Sequence, residues 1–108
     1  MERIRFITIE QLLEMMENKD KFKLVEVLGE ESYNEGHIPG AINIPVDDLQ
    51  KEAPKKLDKS EKIVVYCASY HCKASTRAAE ILIKIGYKMV LDFKGSKKLW
   101  ADSGLELE

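Results

Sequence analysis

The residues best suited to chemistry lie together in one stretch of this 108-residue chain, Tyr66 to Ala79: Cys67, His71, Cys72, Lys73 and Arg77. From Ile63 to Ala79 there is no Asp or Glu, while His71, Lys73 and Arg77 all fall within ten residues of Cys67. Cys67 ends an apolar run, and a helical pattern begins about seven residues later. A helix N-terminus offers free backbone N–H groups and partial positive charge, which favour an anion. A cysteine placed there among cations is expected to ionise more readily than a free thiol, and the thiolate is the nucleophile. The pattern therefore points to nucleophilic sulfur chemistry on a small anionic donor.

Plainer readings stand beside it. Free cysteines often serve as small buried apolar groups, which would suit Cys67 as a core residue and Cys72 as packing under the loop. Lys73 and Arg77 also read as solvated helix residues, and His71 as a surface loop residue. Cys72 has a chemical reading too: if the loop curls so that the two cysteines reach disulfide range, it is a resolving thiol for Cys67.

These residues must be held by strands and helices of an α/β fold. Ile63–Tyr66 is a continuous, β-branched apolar run of the kind buried on both faces of a parallel sheet. Ala74–Ile85 reads as a helix with Ala78, Ala79, Leu82 and Ile85 on its buried side and Gly86 at C′. Upstream, Arg5–Ile7 is a short strand. Thr8 and Gln11 form a capping box before the i, i+3, i+4, i+7 pattern of Ile9, Leu12, Leu13 and Met16. Lys23–Val27 is a strand, Glu31–Glu35 a helical turn, and residues 36–41 a loop dense in turn formers. Ile42–Pro45 is a strand stopped by proline, and a short helix from Asp47 or Asp48 is limited by Pro54. Tyr87–Asp92 is the last strand, and Ser96 caps a final helix through Trp100. Alternating strands and helices predict a sheet with helices on both faces.

Composition narrows the partners. A net charge of −2 points to neither nucleic acid nor a membrane surface, and no apolar run reaches the 18 or so residues of a membrane helix. The stretch Met1 to Arg5 has no signal-peptide core, so a soluble, cytoplasmic protein of one domain, residues 1–108, is expected. A structural zinc site wants four Cys or His ligands. The chain has only Cys67, Cys72, His37 and His71, distributed along the sequence, so no metal is expected.

Three segments carry a family resemblance. Leu24–Val27 with Glu31-Ser32-Tyr33-Asn34-Glu35-Gly36-His37-Ile38-Pro39-Gly40-Ala41-Ile42-Asn43-Ile44-Pro45 resembles the first signature of the rhodanese-like superfamily. Ile63-Val64-Val65-Tyr66-Cys67 with Ala78-Ala79, Leu82 and Gly86-Tyr87 is similar to the second. Gly95, Trp100 and Gly104 are similar to the closing G-G-x-x-x-W-x-x-x-G. The resemblance implies a five-stranded parallel sheet flanked by helices on both faces. It implies that Cys67 takes a sulfane sulfur from an anionic donor as a persulfide and passes it to a thiol, on a protein or a small molecule, or to cyanide. The loop Ala68, Ser69, Tyr70, His71, Cys72 and Lys73 would cradle that sulfur with its backbone N–H groups, and no metal or organic cofactor would be needed. His37, Gly36 and Gly40 would be structural.

The chain departs from the family pattern at the site. Glu26 stands where the family usually has Asp and Leu28 where it often has Arg, so Glu26 is a supporting residue without its usual partner. The active loop is about two residues longer than the common six, and Cys72 and Lys73 occupy the place of its arginine. Lys is a point charge rather than a bidentate fork. Arg77 is a second supporting cation, and Cys72 to Arg77 forms a rival Cys-x4-Arg register, with the Cys67 register preferred. Three functions follow, in order: a sulfurtransferase acting through Cys67, a redox or sulfur-sensing module using Cys67 and Cys72, and a phosphate- or arsenate-directed enzyme of the superfamily's long-loop branch.

Overall fold

The computed structural model describes residues 4–108; the first part of the N-terminal stretch, 1–3, lies outside them. Five strands pair in parallel: β1 (Arg5–Phe6), β2 (Lys23–Glu26), β3 (Ile42–Asn43), β4 (Lys62–Tyr66) and β5 (Met89–Asp92). Their order across the sheet is β1-β5-β4-β2-β3, so β4 is central, with Val65 opposite Val25 on one side and Asp92 on the other. The expected five-stranded parallel α/β sheet is present.

The alternation of side chains along β4 divides the core. Ile63, Val65 and Cys67 face one layer, built from α3 (Leu49–Lys56) and α4 (Ala74–Lys84). Val64 and Tyr66 face the other, packed by Leu12 of α1 (Ile9–Glu17) and Trp100 of α5 (Ser96–Asp102), with Tyr33 of α2 (Glu30–Glu35) at its edge. Every residue from Ile63 to Cys67 is fully buried. Each such apolar side chain contributes about 1.5–3 kcal/mol, so the strand end that carries Cys67 is firmly held.

Local sequence explains the helices. The Thr8 side chain accepts the Gln11 N–H while the Gln11 side chain accepts the Thr8 N–H, the expected capping box. Ala78 and Ala79 let α4 lie close on the sheet, and Gly86 at φ +106° closes it: the Gly86 N–H donates to Ile83 O and the Tyr87 N–H to Leu82 O. Gly40, at φ +87°, takes the third position of the Ile38–Ala41 turn, where a side chain would be strained.

Two elements differ from expectation. Helix α3 runs through Pro54 to Lys56. Leu49, Ala53 and Leu57 recur every four residues, all buried, and the Leu57 N–H donates to Ala53 O. Burial of that stripe outweighs the one hydrogen bond that proline removes. At α5, Gly95 is the N-cap and Ser96 the first helical residue. Ser96 does not cap: it is fully buried at φ +61°, in the second-glycine place of the closing motif, with its hydroxyl turned to the end of β4.

Candidate active site

Cys67 leaves the carboxyl end of β4, and Ala74 begins α4 beyond a loop that folds back on itself, the Cys72 N–H donating to Ser69 O at 3.0 Å. The start of α5 fixes the cysteine's backbone. The Cys67 N–H donates to Ser96 Oγ at 3.0 Å, Ser96 Oγ–H donates to Phe93 O at 3.1 Å, and the N–H groups of Lys97 and Lys98 reach Cys67 O and Ala68 O. A serine in the left-handed region costs roughly 1–2 kcal/mol. Here that strain places an acceptor on a buried N–H and a hydroxyl 3.9 Å from Cys67 Sγ.

The loop brings the two thiols together. Cys67 Sγ lies 3.4 Å from the backbone carbonyl oxygen of Cys72 and 4.0 Å from Ser69 O, close enough for the two thiols to influence each other's ionisation. Both are free thiols; Cys67 is fully buried and Cys72 half-buried. Ser75, on the first turn of α4, favours charge on Cys67, and the backbone N–H groups of Ala68 and Ala74 favour charge on Cys72. Ser75 Oγ is buried and makes no hydrogen bond. The amide cradle thus comes from the two ends of the loop, Ala68, Ala74 and Ser75. Ala68, Tyr70, His71 and Lys73 of the expected cradle expose their side chains to solvent, and Ser69 supplies a carbonyl.

The order of acidity reverses the expectation for Cys67. Burial pushes the Cys67 thiol up, and its role as donor to Cys72 adds to that. Burial alone would raise Cys72 as well, but the Cys67 S–H, two backbone N–H groups and Lys94 outweigh it and hold Cys72 below the ordinary thiol value. The first negative charge of the pair therefore rests on Cys72. The helix N-terminus does act, but its charge-stabilising hydrogen bonds are divided between two sulfurs rather than spent on one.

The cation at the loop is Lys94, a residue that sequence reasoning did not single out. Its Nζ donates to Tyr70 O at 3.0 Å and Cys72 O at 3.1 Å and sits 5.3 Å above the Tyr70 ring. Lys73 is exposed at the N-cap of α4, and Arg77 faces outward to Asp47 at 3.9 Å, both side chains well exposed. Such an exposed pair contributes little. His71 is exposed and meets Tyr70 edge-on. A groove of about 580 Å³ borders the loop through Tyr70 and Lys94, with Phe6 and Leu99 as its exposed apolar walls.

Glu26 has a partner after all. Fully buried beside Cys67's strand, it meets Lys97 Nζ at 3.2 Å and accepts the Tyr66 hydroxyl at 2.8 Å, and Tyr66 Oη in turn accepts the Ile38 N–H. Lys97 also donates to Ser32 O and Gly36 O. This buried chain ties β2, β4, α5 and the 36–41 loop into one frame around the site, while Leu28 packs in the core edge where the family often has arginine. Contact with Glu26 pushes the Tyr66 hydroxyl up, after burial as the larger cause. His37 stacks on Tyr33 at 3.9 Å and exchanges backbone hydrogen bonds with Glu108, away from the thiols. No helix among the described residues is long and apolar enough to cross a membrane.

Comparison with known proteins agrees with this architecture. Residues 8–103 match the family model of the rhodanese-like domain. The chain is 32% identical over 87 residues to the thiosulfate sulfurtransferase GlpE of Coxiella burnetii, covering 81% of this chain and 78% of that protein. It is 27% identical over 94 residues to the putative sulfur carrier protein YrkF of Bacillus subtilis, covering 87% of this chain but spanning only 49% of that relative. Among solved structures, the BH2092 protein of Bacillus halodurans superposes with a TM-score of 0.89 at 28% identity, over 96% of this chain and 76% of that one.

Proposed function

The chain belongs to the rhodanese-like domain family, and on that premise we propose that it is a sulfurtransferase whose acceptor is Cys67. The Cys67 thiolate attacks the outer sulfur of a thiosulfate-like donor, the donor's S–S bond breaks, sulfite leaves, and a Cys67 persulfide remains. A thiol or cyanide then removes the outer sulfur and regenerates the thiolate. This is thiol–disulfide exchange chemistry in which only sulfur bonds change.

The observation that carries this reading is the placement of Cys67 at the carboxyl edge of the central strand, just before the loop that leads into α4, with Ser96 Oγ 3.9 Å from its sulfur. Ligands of open α/β sheets bind at that edge. Loss of the Cys67 proton, to Cys72 across the loop or to water where Cys72 is absent, supplies the thiolate. Lys94 then offsets donor charge at the mouth of the loop. Two free, adjacent thiols fit a reducing compartment such as the cytoplasm. Similarity to GlpE supports thiosulfate as the first donor to try.

Thiocyanate formation from thiosulfate and cyanide tests the proposal. Wild-type protein is expected to turn over and Cys67→Ala to fall to background. Equal activity in Cys67→Ala, with Cys72→Ala inactive, would move the acceptor to Cys72.

A further inference from the structure

The second thiol has more at its disposal than a neighbour's proton. Cys72 lies five positions from Cys67 on a loop whose turn brings the Cys72 carbonyl oxygen to 3.4 Å from Cys67 Sγ. It is the more exposed of the two, and its sulfur is addressed by Ala68 N–H, Ala74 N–H and the charge of Lys94. Cys72 also packs against the core layer that holds Cys67, a role that a small apolar side chain would fill as well as a thiol. We propose that Cys72 attacks the inner sulfur of the Cys67 persulfide, releasing hydrosulfide and leaving a Cys67–Cys72 disulfide that an external thiol reductant reopens. This rests on the Cys67 reading above and extends it from sulfur transfer to sulfide release.

The step balances. The Cys72 thiolate supplies the electron pair for the new Sγ–Sγ bond. The outer sulfur takes the proton that Cys72 gives up on becoming the thiolate, its bond to Cys67 Sγ breaks, and it leaves as HS⁻. The two cysteines are together oxidised by two electrons, and the sulfane sulfur is reduced by two. Two equivalents of a small thiol, or one dithiol, restore both cysteines and become a disulfide. Summed over a cycle, thiosulfate and two thiols give sulfite, sulfide and one disulfide.

The geometry selects the inner sulfur. In the resting site the Cys72 carbonyl oxygen lies 3.4 Å from Cys67 Sγ, so residue 72 sits beside the atom that becomes the inner sulfur once loaded. Leaving-group acidity points the same way, because the less basic sulfur departs faster. Hydrosulfide is a weaker base than an alkyl thiolate, and burial makes the Cys67 thiolate a poorer leaving group still. Attack on the outer sulfur would have to expel Cys67.

A single turnover separates the outcomes. Reduced protein, freed of reductant and held without oxygen, is mixed with excess thiosulfate and no acceptor, then alkylated and digested with trypsin. Both cysteines fall in one peptide, residues 63–73, so fragment ions between them assign each change. Wild-type protein is expected to release one sulfite and one sulfide per chain and to yield that peptide unalkylated and two hydrogens lighter than the dithiol. Cys72→Ser and Cys72→Ala are expected to release sulfite without sulfide and to keep one extra sulfur on Cys67. A wild-type Cys67 persulfide that lasts as long as in these variants, with no sulfide, would overturn the proposal, as would an extra sulfur found on Cys72. Absence of sulfite from every form would remove the Cys67 reading, and this one with it.

Discussion

Replacing Ser96 tests how the site is held, because two opposed effects meet at one residue. Ser96 Oγ is the acceptor of the buried Cys67 N–H at 3.0 Å and the donor to Phe93 O at 3.1 Å, and the residue is fully buried at φ +61°. Ser96→Ala keeps the left-handed strain and strands the buried Cys67 N–H, while Phe93 O keeps the Ser96 backbone N–H. An unsatisfied buried group costs about 1–3 kcal/mol. Ser96→Gly strands the same donor but relieves the conformation, worth roughly 1 kcal/mol after glycine's larger unfolded-state entropy is counted. The order of stability is therefore wild type, then Gly, then Ala. With a urea m value of about 1–3 kcal/mol/M, the Ala variant's midpoint falls on the order of 1 M. The single tryptophan, Trp100, is buried on the same helix and reports unfolding by fluorescence. An Ala variant as stable as wild type would show that the Ser96 hydrogen bonds do not hold Cys67. A Gly variant no better than Ala would show that the backbone is not strained.

Other perturbations follow from the same contacts. Lys97→Met leaves the Glu26 carboxylate buried without its cation and should cost about 3–5 kcal/mol; a double change to Glu26→Leu with Lys97→Met should recover part of this in thermal melts, and no recovery would mean that the carbonyl contacts of Lys97 dominate. Alkylation of Cys72 should show a midpoint below the ordinary value of about 8.5, rising in Cys67→Ala and, by less, in Lys94→Met, since each supplies a cause that lowers it. Because the folded pKa of Cys72 is depressed, its thiolate stabilises the fold above the unfolded thiol value and loses that contribution as pH falls through the folded one. The stability gap between wild type and Cys72→Ala should therefore widen from pH 6 to pH 9 (working values that bracket a thiol's range), and a flat gap would contradict the assigned acidity. Thr76→Val removes the 2.7 Å hydrogen bond to buried Asp92, whose Oδ1 has no partner; a loss of at least about 1–3 kcal/mol is expected in urea unfolding.

What the sequence showed well was local. The Thr8–Gln11 box, the apolar run of β4, the alanine face of α4 and the glycine at 86 are all written in neighbours a few residues apart, and each appears as read. The central features of the site are not local. Glu26 finds Lys97 across 71 positions, Cys67 finds Ser96 across 29, and Cys72 finds Lys94 across 22. No periodicity carries such pairs, and lysines along a charged surface look alike until the fold selects one. Ser96 misled for a related reason: a serine before a helix reads as a cap, and only the backbone shows that it stands in a glycine's conformation. The Cys67 acidity misled because a helix N-terminus was counted once, while the loop presents two sulfurs to it.

The central claim is that Cys67 itself receives the sulfur. Intact-mass analysis of Cys72→Ala after brief exposure to thiosulfate tests it most directly, since this form retains a single thiol and has no internal exit for the sulfur. A gain of one sulfur atom that disappears on adding cyanide, with thiocyanate formed in equal amount, is the expected result. A Cys72→Ala protein that stays at its original mass, while Cys67→Ala gains the sulfur instead, would contradict it.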